Sequence, residues 1–270
     1  MKKIYSYSLL GKRESNEDNH FYLLNENNEN NENNEYNSIN FFGVFDGHGG
    51  KIISSYLKKI LPQYFINKPK LIQNQHLYNK SDTYLHKYFN FIYNKIQLNL
   101  IKLHPIIVQR CGSTALVGIQ YKNKLWILNV GDSRVIKCNH SNIAEQLSLD
   151  HKPSSPTEKI RIESLGGMIE YDGYDWRIKG LSLSRAFGDI DCSPYVTHIP
   201  DIYKYKIKKT DKYLVFACDG LFDVLSNQDI VDFINTLIIH KYNKNYAQAL
   251  AQYAYDKGSQ DNITIIIYFI

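Results

Sequence analysis

The sequence is poor in cysteine and has no long apolar run, and each scarcity argues against a class of protein. The four cysteines, Cys111, Cys138, Cys192 and Cys218, are far apart and form no C-x-x-C pair, which argues against a disulfide scaffold and a clustered zinc site. Three of them lie in or beside apolar strand-like runs, so we predict buried, reduced thiols. No apolar run approaches the roughly 20 residues that cross a bilayer.

Signals for export and lipid attachment are also missing. The first five residues, MKKIY, contain no apolar signal-peptide core. Lysine rather than glycine at position 2 excludes N-myristoylation. We therefore expect an intracellular, soluble protein without a membrane span, in the cytoplasm, the nucleus or both.

The charge balance is basic but evenly spread. A net charge of +5 suggests a nucleic-acid partner, yet Lys residues are interspersed with Asp and Glu and no basic block dominates. The residues in excess (Asn, Lys, Ile and Tyr) have AT-rich codons, so genome composition explains the charge and we predict no nucleic-acid partner. Hydrophobic residues make up 43% and charged residues 22% of the chain, which is typical of a soluble globular domain. We expect one domain over 1–270.

Hydrophobic patterning predicts more strands than helices. Segments rich in β-branched and aromatic residues predict strands at 5–10, 20–25, 39–45, 113–121, 124–130, 133–138, 212–218 and 262–270. Helical periodicity and capping signals predict helices at 51–61, 82–103, 155–165, 227–239 and 245–257, and Pro62 is expected to stop the first. Short turns between neighbouring strands favour an antiparallel α+β fold in which two sheets pack together with helices outside.

Two segments resemble loops. The stretch 26–35 contains only Asn and Glu, and with nothing apolar to bury it predicts a disordered loop between two strands. A second flexible segment is expected at 170–176, where Tyr, Asp, Gly and Trp cluster.

Acidic residues stand at the ends of several predicted strands. Three strands lead directly into an Asp, one strand follows closely after an Asp, and another follows a Glu-Asp pair. In an antiparallel sheet the end of one strand lies beside the beginning of its neighbour, so all these acids could share one edge. They are Asp46, Asp132, Asp219, Asp261, Glu17 and Asp18.

Such an edge predicts a metal centre. Each acid alone would be ordinary turn chemistry, but several carboxylates at close range repel one another unless a cation compensates. An all-oxygen donor set without clustered Cys or His favours Mg²⁺ or Mn²⁺ over zinc. Two such ions would activate a water and hold phosphoryl oxygens for in-line displacement.

Three nearby residues suit phosphate chemistry. Arg13, four residues before Glu17, would match a phosphate in bidentate fashion, or it is simply a solvated surface charge. His48, two residues after Asp46, would protonate a departing seryl or threonyl oxygen, or it only begins a helix. Gly47 would let its backbone carbonyl approach a metal.

Eight short motifs, in order along the chain, match a known family: GKRESNED at 11–18, VFDGHGG at 44–50, CGSTA at 111–115, NVGDSR at 129–134, DHKP at 150–153, GLSLSRAFGD at 180–189, ACDGLFDV at 217–224 and GSQDN at 258–262. The chain resembles the metal-dependent protein phosphatases of the 2C type, the PPM family. The family fold, a central antiparallel β-sandwich flanked by helices on both outer faces, agrees with the expectation above.

The resemblance also implies the metal ligands. Asp46 would bridge two Mg²⁺ or Mn²⁺ ions, with the Gly47 carbonyl on one and Asp219 and Asp261 on the other. Two further positions match the residues that hold a weaker third ion in some members, Asp132 and Asp223.

Other residues receive roles from the resemblance alone. Glu17 and Asp18 would act through metal-bound waters, Arg13 would bind the substrate phosphate, and His48 would be the general acid. Residues 180–189 would be largely scaffold.

The resemblance implies a protein serine/threonine phosphatase that hydrolyses phosphoserine and phosphothreonine monoesters on proteins with a metal-activated water. Residues 1–270 would form one catalytic domain with a flap at 154–176, a monomer by default, with no room for an appended targeting or regulatory domain.

Two rival functions remain open. A pseudophosphatase would use the same fold only for binding or regulation, but such proteins usually lack a metal-binding Asp or the phosphate-binding Arg, and Arg13, Asp46, Asp219 and Asp261 are all present. A two-metal nuclease would suit the basic pI of about 8.8, although nothing in the sequence resembles an aromatic stacking platform beside a basic groove.

Overall fold

Two antiparallel sheets form the centre of the computed structural model, which describes residues 3–24, 39–65 and 81–270. The predicted loop at 26–35 lies outside these residues. The described strands are β1 Ile4–Leu9, β2 Asn19–Leu23, β3 Ile39–Phe45, β4 Gly47–His48, β5 Gly112–Ser113, β6 Ala115–Tyr121, β7 Lys124–Val130, β8 Arg134–Cys138, β9 Ala144–Gln146, β10 Glu170–Tyr171, β11 Trp176–Arg177, β12 Phe187–Gly188, β13 Asp201–Lys206, β14 Tyr213–Ala217 and β15 Ile263–Phe269.

Helices surround these sheets. They are α1 Ile52–Phe65, α2 Asp82–Leu103, α3 Pro156–Ser164, α4 Asp219–Phe222, α5 Asn227–Ile239 and α6 Tyr246–Asp256, with short 3₁₀ turns at Ile107–Gln109 and Ile190–Cys192. Within the described ranges, no helix combines the length and the apolar character needed to cross a membrane.

The two main sheets pack face to face. The first has the strand order β13-β7-β6-β3-β2 and the second the order β1-β15-β14-β8-β9. Between them Phe42 stacks on Phe216, with ring centroids 5.1 Å apart, and lies 4.9 Å from the ring of Tyr268. Side chains alternate along a strand, so Phe41 and Phe45 point to the opposite face of β3 and pack against helices. This explains why β3 is buried throughout.

Each sheet carries a helix pair on its outer face. α1 and α2 cover the first sheet, and α5 and α6 cover the second. The predicted β-sandwich flanked by helices is therefore confirmed. The expectation that Pro62 ends the first helix is wrong, because α1 continues to Phe65 with the proline inside it. Leu61 and Phe65 are buried in the core, and this burial offsets the cost of a proline within the helix.

The strand directions bring several strand ends to one edge. The end of β3 lies opposite the beginning of β2, and the end of β14 lies opposite the beginning of β15. β7 runs parallel to β3 because both pair antiparallel with β6. Residues that follow β3, β7 and β14 therefore meet residues that precede β2 and β15.

A smaller unit lies beside this edge. It contains α3, the hairpin β10–β11 and the segment that follows the hairpin. A small apolar cluster, which includes Ile162, Ile178 and Val196, packs α3 against that segment. The segment 170–176, expected to be a flexible loop, contains most of this hairpin. Asp172 closes its turn by accepting hydrogen bonds from the backbone N–H groups of Tyr174 and Asp175.

Candidate active site

Eight of the ten predicted site residues line one cleft of about 560 Å³ at the shared edge of the sheets. The eight are Arg13, Glu17, Asp46, Gly47, His48, Asp132, Asp219 and Asp261. Asp18 and Asp223 do not line the cleft, but both lie close to its acids. Residues 181–183, expected to belong to the scaffold, also line it.

Asp46 stands where two groups of acids meet. One carboxylate oxygen each of Asp46, Asp132 and Asp219 lie within 4.8 Å of one another, and Asp46, Asp18 and the Cys218 sulfur form a second group of the same size. The backbone of Asp46 is held from both sides by Thr114, whose N–H donates to the Asp46 carbonyl at 2.8 Å and whose Oγ1 accepts from the Asp46 N–H at 3.0 Å.

Burial and mutual repulsion raise the pKa values of these carboxyl groups. Burial, followed by the charges of Asp18 and Asp219, raises the pKa of Asp46 well above its usual range. Burial and the charges of Asp132 and Asp223 do the same to the pKa of Asp219. Burial raises the pKa of Asp18 to about 6. Protein groups alone therefore leave this concentration of negative charge under-compensated.

The residues present fit a centre for divalent cations. Neither carboxylate oxygen of buried Asp18 accepts a hydrogen bond from the described part of the chain, and an unsatisfied buried carboxylate is costly unless a cation neutralises it. The donors are mainly carboxylate oxygens, which suit hard cations such as Mg²⁺ and Mn²⁺.

Asp223 lies one helical turn beyond Asp219. Its N–H donates to the Asp219 carbonyl at 2.8 Å. Its pKa is raised, mainly by burial and, among the neighbouring acids, by the charges of Asp132 and Asp261. This position agrees with the third-ion role that the resemblance assigns to it, a role that stays a prediction.

Lys152 supplies positive charge that the sequence reasoning missed. Its Nζ lies 2.7 Å from Oδ2 of Asp132 and 3.8 Å from Oδ2 of Asp219. Burial by itself lowers the pKa of Lys152, but the charges of Asp132 and Asp219 outweigh it and raise that pKa. The residue belongs to the DHKP motif, which was the available sequence signal.

Arg13 and Asp261 form an ion pair at the mouth of the cleft. The Arg13 Nη2 lies 2.6 Å from Oδ2 of Asp261, and the Arg13 side chain is 58% exposed. Neighbouring Asn262, also given no role from the sequence, accepts from the Glu17 N–H at 2.9 Å and donates to the carbonyls of Leu10 and Ser15. These bonds attach the segment that carries Arg13 and Glu17 to the beginning of β15.

Gly47 lies under the backbone of Glu17. A Cβ at position 47 would stand 2.5 Å from the Glu17 carbonyl oxygen and 2.9 Å from Oγ of Ser54, so any side chain there would force these atoms to shift. Ser54 donates to that same carbonyl at 2.5 Å, and Oε2 of Glu17 accepts from the Gly50 N–H at 2.8 Å. The β3–α1 turn and the segment that precedes β2 are thereby held together.

His48 forms a hydrogen bond that the sequence did not predict. Its Nε2 lies 2.7 Å from Oδ2 of Asp189, and the Asp189 side chain is 2% exposed. Burial lowers the pKa of His48, but the hydrogen bond and charge of Asp189, with the charges of Asp132 and Glu17, outweigh burial and raise it.

The four cysteines are free. Three are buried, as predicted, and Cys111 is half-buried. The Cys218 thiol lies among the acids described above, where burial and then the charges of Asp18 and Asp46 raise its pKa well above the usual range.

Solved structures with the same fold include two close geometric matches. The serine-threonine phosphatase 2C of Toxoplasma gondii superimposes with a TM-score of 0.83 at 25% identity, covering 99% of this chain and 94% of that one. A sex determining protein of C. elegans gives a TM-score of 0.81 at 24% identity and covers 99% of this chain and 64% of that one. The latter match supports the fold alone.

Sequence comparisons give the family. A family model described as Protein phosphatase 2C matches residues 6–263. Probable protein phosphatase 2C 45 of Oryza sativa subsp. japonica is 37% identical over 227 residues, which cover 84% of this chain and 75% of the rice protein. The PP2C-like domain-containing protein R307 of Acanthamoeba polyphaga mimivirus is 37% identical over 171 residues, which cover 55% of this chain and 95% of the viral protein. By its motifs, fold and match to the family model, the chain belongs to the protein phosphatase 2C family.

Proposed function

We propose that the protein hydrolyses phosphoserine and phosphothreonine monoesters on proteins, with two Mg²⁺ or Mn²⁺ ions held at the edge of the sheets. The observation that carries the proposal is the meeting of two groups of acids at Asp46, one with Asp132 and Asp219 and the other with Asp18, with both Asp18 oxygens unsatisfied by the described residues.

The family resemblance supplies the full ligand set, and Asp46 belongs to both groups of acids. Asp46, Asp219, Asp261 and the Gly47 carbonyl would hold the two ions. Glu17 and Asp18 would act through ordered waters, and Asp132 and Asp223 would hold a third, weaker ion. When bound, the ions lower the pKa of a water and neutralise phosphoryl charge.

The chain's own residues bind the phosphate and move a proton. Arg13 exchanges Asp261 for the outer oxygens of the phosphate, to which a guanidinium donates in bidentate fashion. His48 gives a proton to the seryl or threonyl oxygen as the P–O bond breaks, so the product leaves as a neutral alcohol. The hydroxyl of a water becomes part of inorganic phosphate, and the proton it releases balances the one that His48 later regains from solvent.

The cleft draws residues from distant parts of the chain. Arg13 and Asp261 lie near opposite ends of the sequence, and Arg177 reaches the cleft from the hairpin β10–β11. On this basis residues 1–270 act as a single catalytic domain, in which 154–176 is a flap beside the phosphoprotein substrate.

The test is phosphate release from a phosphothreonine peptide by purified protein. Activity should require Mg²⁺ or Mn²⁺ and disappear with excess chelator. Asp219→Asn should weaken metal binding in calorimetry and lower activity. Asp256→Asn, a change at the end of α6 outside the cleft, is the matched control and should leave both unchanged.

Three outcomes would contradict the proposal. Full activity in chelator would refute the metal mechanism. Metal binding without hydrolysis of any phosphomonoester would indicate a pseudophosphatase. Cleavage of single-stranded nucleic acid without phosphopeptide hydrolysis would indicate a nuclease.

A further inference from the structure

The hydrogen bond between His48 and Asp189 is built into a small sheet beside the cleft. β5 lies between β4, which contains His48, and β12, which precedes Asp189. Gly112 of β5 is the register partner of both His48 and Gly188. A Cβ at position 112 would lie 2.0 Å from Oδ2 of Asp189 and 2.5 Å from Nε2 of His48. The two side chains therefore meet across a strand position that only glycine permits.

The backbone of Asp189 is held in an unusual conformation. Its φ of 48° lies in the left-handed region, which costs a residue other than glycine about 1 kcal/mol or more. The Asp189 N–H donates to the Cys111 carbonyl at 3.2 Å. On its other side buried Gln97 holds Gly188 with two hydrogen bonds, one to the carbonyl at 3.1 Å and one from the N–H at 3.0 Å. Such strain is retained where the surroundings enforce it, and often at functional sites.

The bond also determines which nitrogen of His48 remains available. An ionised carboxylate only accepts hydrogen bonds, so Nε2 of His48 donates to Asp189. In the described ranges Nδ1 of His48 has no hydrogen-bond partner, and His48 lines the cleft.

We propose that Asp189 is a positioning residue, which fixes the imidazole of His48 through Nε2 so that Nδ1 delivers the proton to the departing seryl or threonyl oxygen. This inference rests on the proposed phosphatase function and adds to it the residue that orients the general acid. The transferred proton leaves Nδ1, the P–O bond to the leaving oxygen breaks, and Nε2 keeps its hydrogen on Asp189 throughout.

The test compares substrates that differ in their need for a proton. In an aryl phosphate with an acidic phenol, the phenolate leaves without receiving a proton. A threonyl oxygen leaves readily only when it is protonated. General acid catalysis contributes about 10²–10⁴-fold. Asp189→Asn should therefore lower kcat on a phosphothreonine peptide by about 10-fold or more with KM little changed, and change kcat on p-nitrophenyl phosphate by less than about 3-fold.

A double-mutant cycle shows whether Asp189 acts through His48. In the His48→Gln background, Asp189→Asn should lower kcat on the peptide no further, because the effects of substituting residues that work as one unit are not additive. Asp191→Asn is the matched control, because Asp191 is two residues away, 47% exposed and paired with Arg110. This substitution should leave kcat unchanged on both substrates.

Asp189→Gly separates positioning from folding. Glycine adopts a φ near 48° without strain, so this variant should fold as well as the wild type while it removes the carboxylate. It should show the same loss confined to the peptide. Equal losses on both substrates, or additive losses in the cycle, would overturn the role of Asp189 and leave the phosphatase proposal intact. A wild type inactive on both substrates would overturn the phosphatase proposal as well.

Discussion

Replacing Lys152 with methionine removes the ammonium group that faces Asp132 and Asp219. The Lys152 side chain is 23% exposed and that of Asp132 only 2%. Methionine keeps most of the apolar length of the side chain, so the substitution removes charge with little change in packing. We expect the variant to be less stable than the wild type in the absence of divalent cations.

The size of the effect follows from the distance. At 2.7 Å between Nζ and Oδ2, Coulomb attraction with an effective dielectric constant of about 20 is about 6 kcal/mol. Desolvation of the two groups opposes it, and removing one partner of a buried pair typically costs about 3 kcal/mol or somewhat more. For a chain of this length, a loss of about 3 kcal/mol lowers the Tm by roughly 6 °C.

The chain offers a control pair with the same separation. Lys204 Nζ lies 2.7 Å from Oδ1 of Asp82, but the two side chains are 41% and 64% exposed. An exposed pair contributes less than about 1 kcal/mol, so Lys204→Met should lower the Tm by about 2 °C or less. Burial, and not distance, then accounts for the difference between the two variants.

The assay is thermal unfolding of the wild type and both variants, in chelator and in excess Mg²⁺. The Tm difference for Lys152→Met should be large in chelator and smaller in Mg²⁺, because a bound cation takes over the compensation of the carboxylates. Equal Tm values for Lys152→Met and Lys204→Met in chelator would refute the reasoning.

Three further predictions follow from other contacts. Arg13→Ala should raise KM for phosphopeptides and weaken inhibition by inorganic phosphate with little change in Tm, since its side chain is 58% exposed; unchanged phosphate inhibition would remove it from the site. Gly47→Ala should lower metal affinity measured by calorimetry, because the new Cβ would lie only 2.5 Å from the Glu17 carbonyl oxygen and would displace that backbone. Burial raises the pKa of Glu158, but hydrogen bonds, including one from Arg185, lower it more, to about 2. A carboxyl whose pKa is depressed in the folded state stabilises that state at pH values above its unfolded pKa of about 4.3. Glu158→Gln should therefore reduce the Tm at neutral pH, and this reduction should shrink between pH 4.5 and 2; a constant reduction would show that charge is not involved.

Local patterns were sufficient for most of the regular structure. The predicted helix at 82–103 has the observed bounds of α2, because its apolar residues recur at helical spacing and Ser81 caps its first turn. The strand β13 was missed. Lys204 and Lys206 of this edge strand are exposed and its other residues are only half-buried, so its sequence, DIYKYK, has too few apolar residues to be recognised.

The convergence of the acids was also predictable from sequence. Where two antiparallel strands are neighbours, the residues that end one lie beside the residues that begin the other, so the positions of Asp46, Asp219 and Asp261 relative to their strands indicated that these acids could share one edge. Propensity could not show that α1 passes through Pro62, because that outcome depends on the burial of Phe65 against the sheet.

The tertiary structure alone decided which partners these residues have. Asp189 and Asp191 are two positions apart and chemically identical, yet Asp189 reaches His48 and Asp191 reaches Arg110. Likewise, the sequence contains many lysines, and in the described part of the chain Lys152 is the lysine that pairs with Asp132. These contacts join residues that are 20 to 141 positions apart. They depend on strand register and, for His48 and Asp189, on the space that Gly112 leaves, and local sequence patterns show neither. The sequence determined which chemical groups reach the edge of the sheets, and the packing of the small β4–β5–β12 sheet determined how the histidine among them is held.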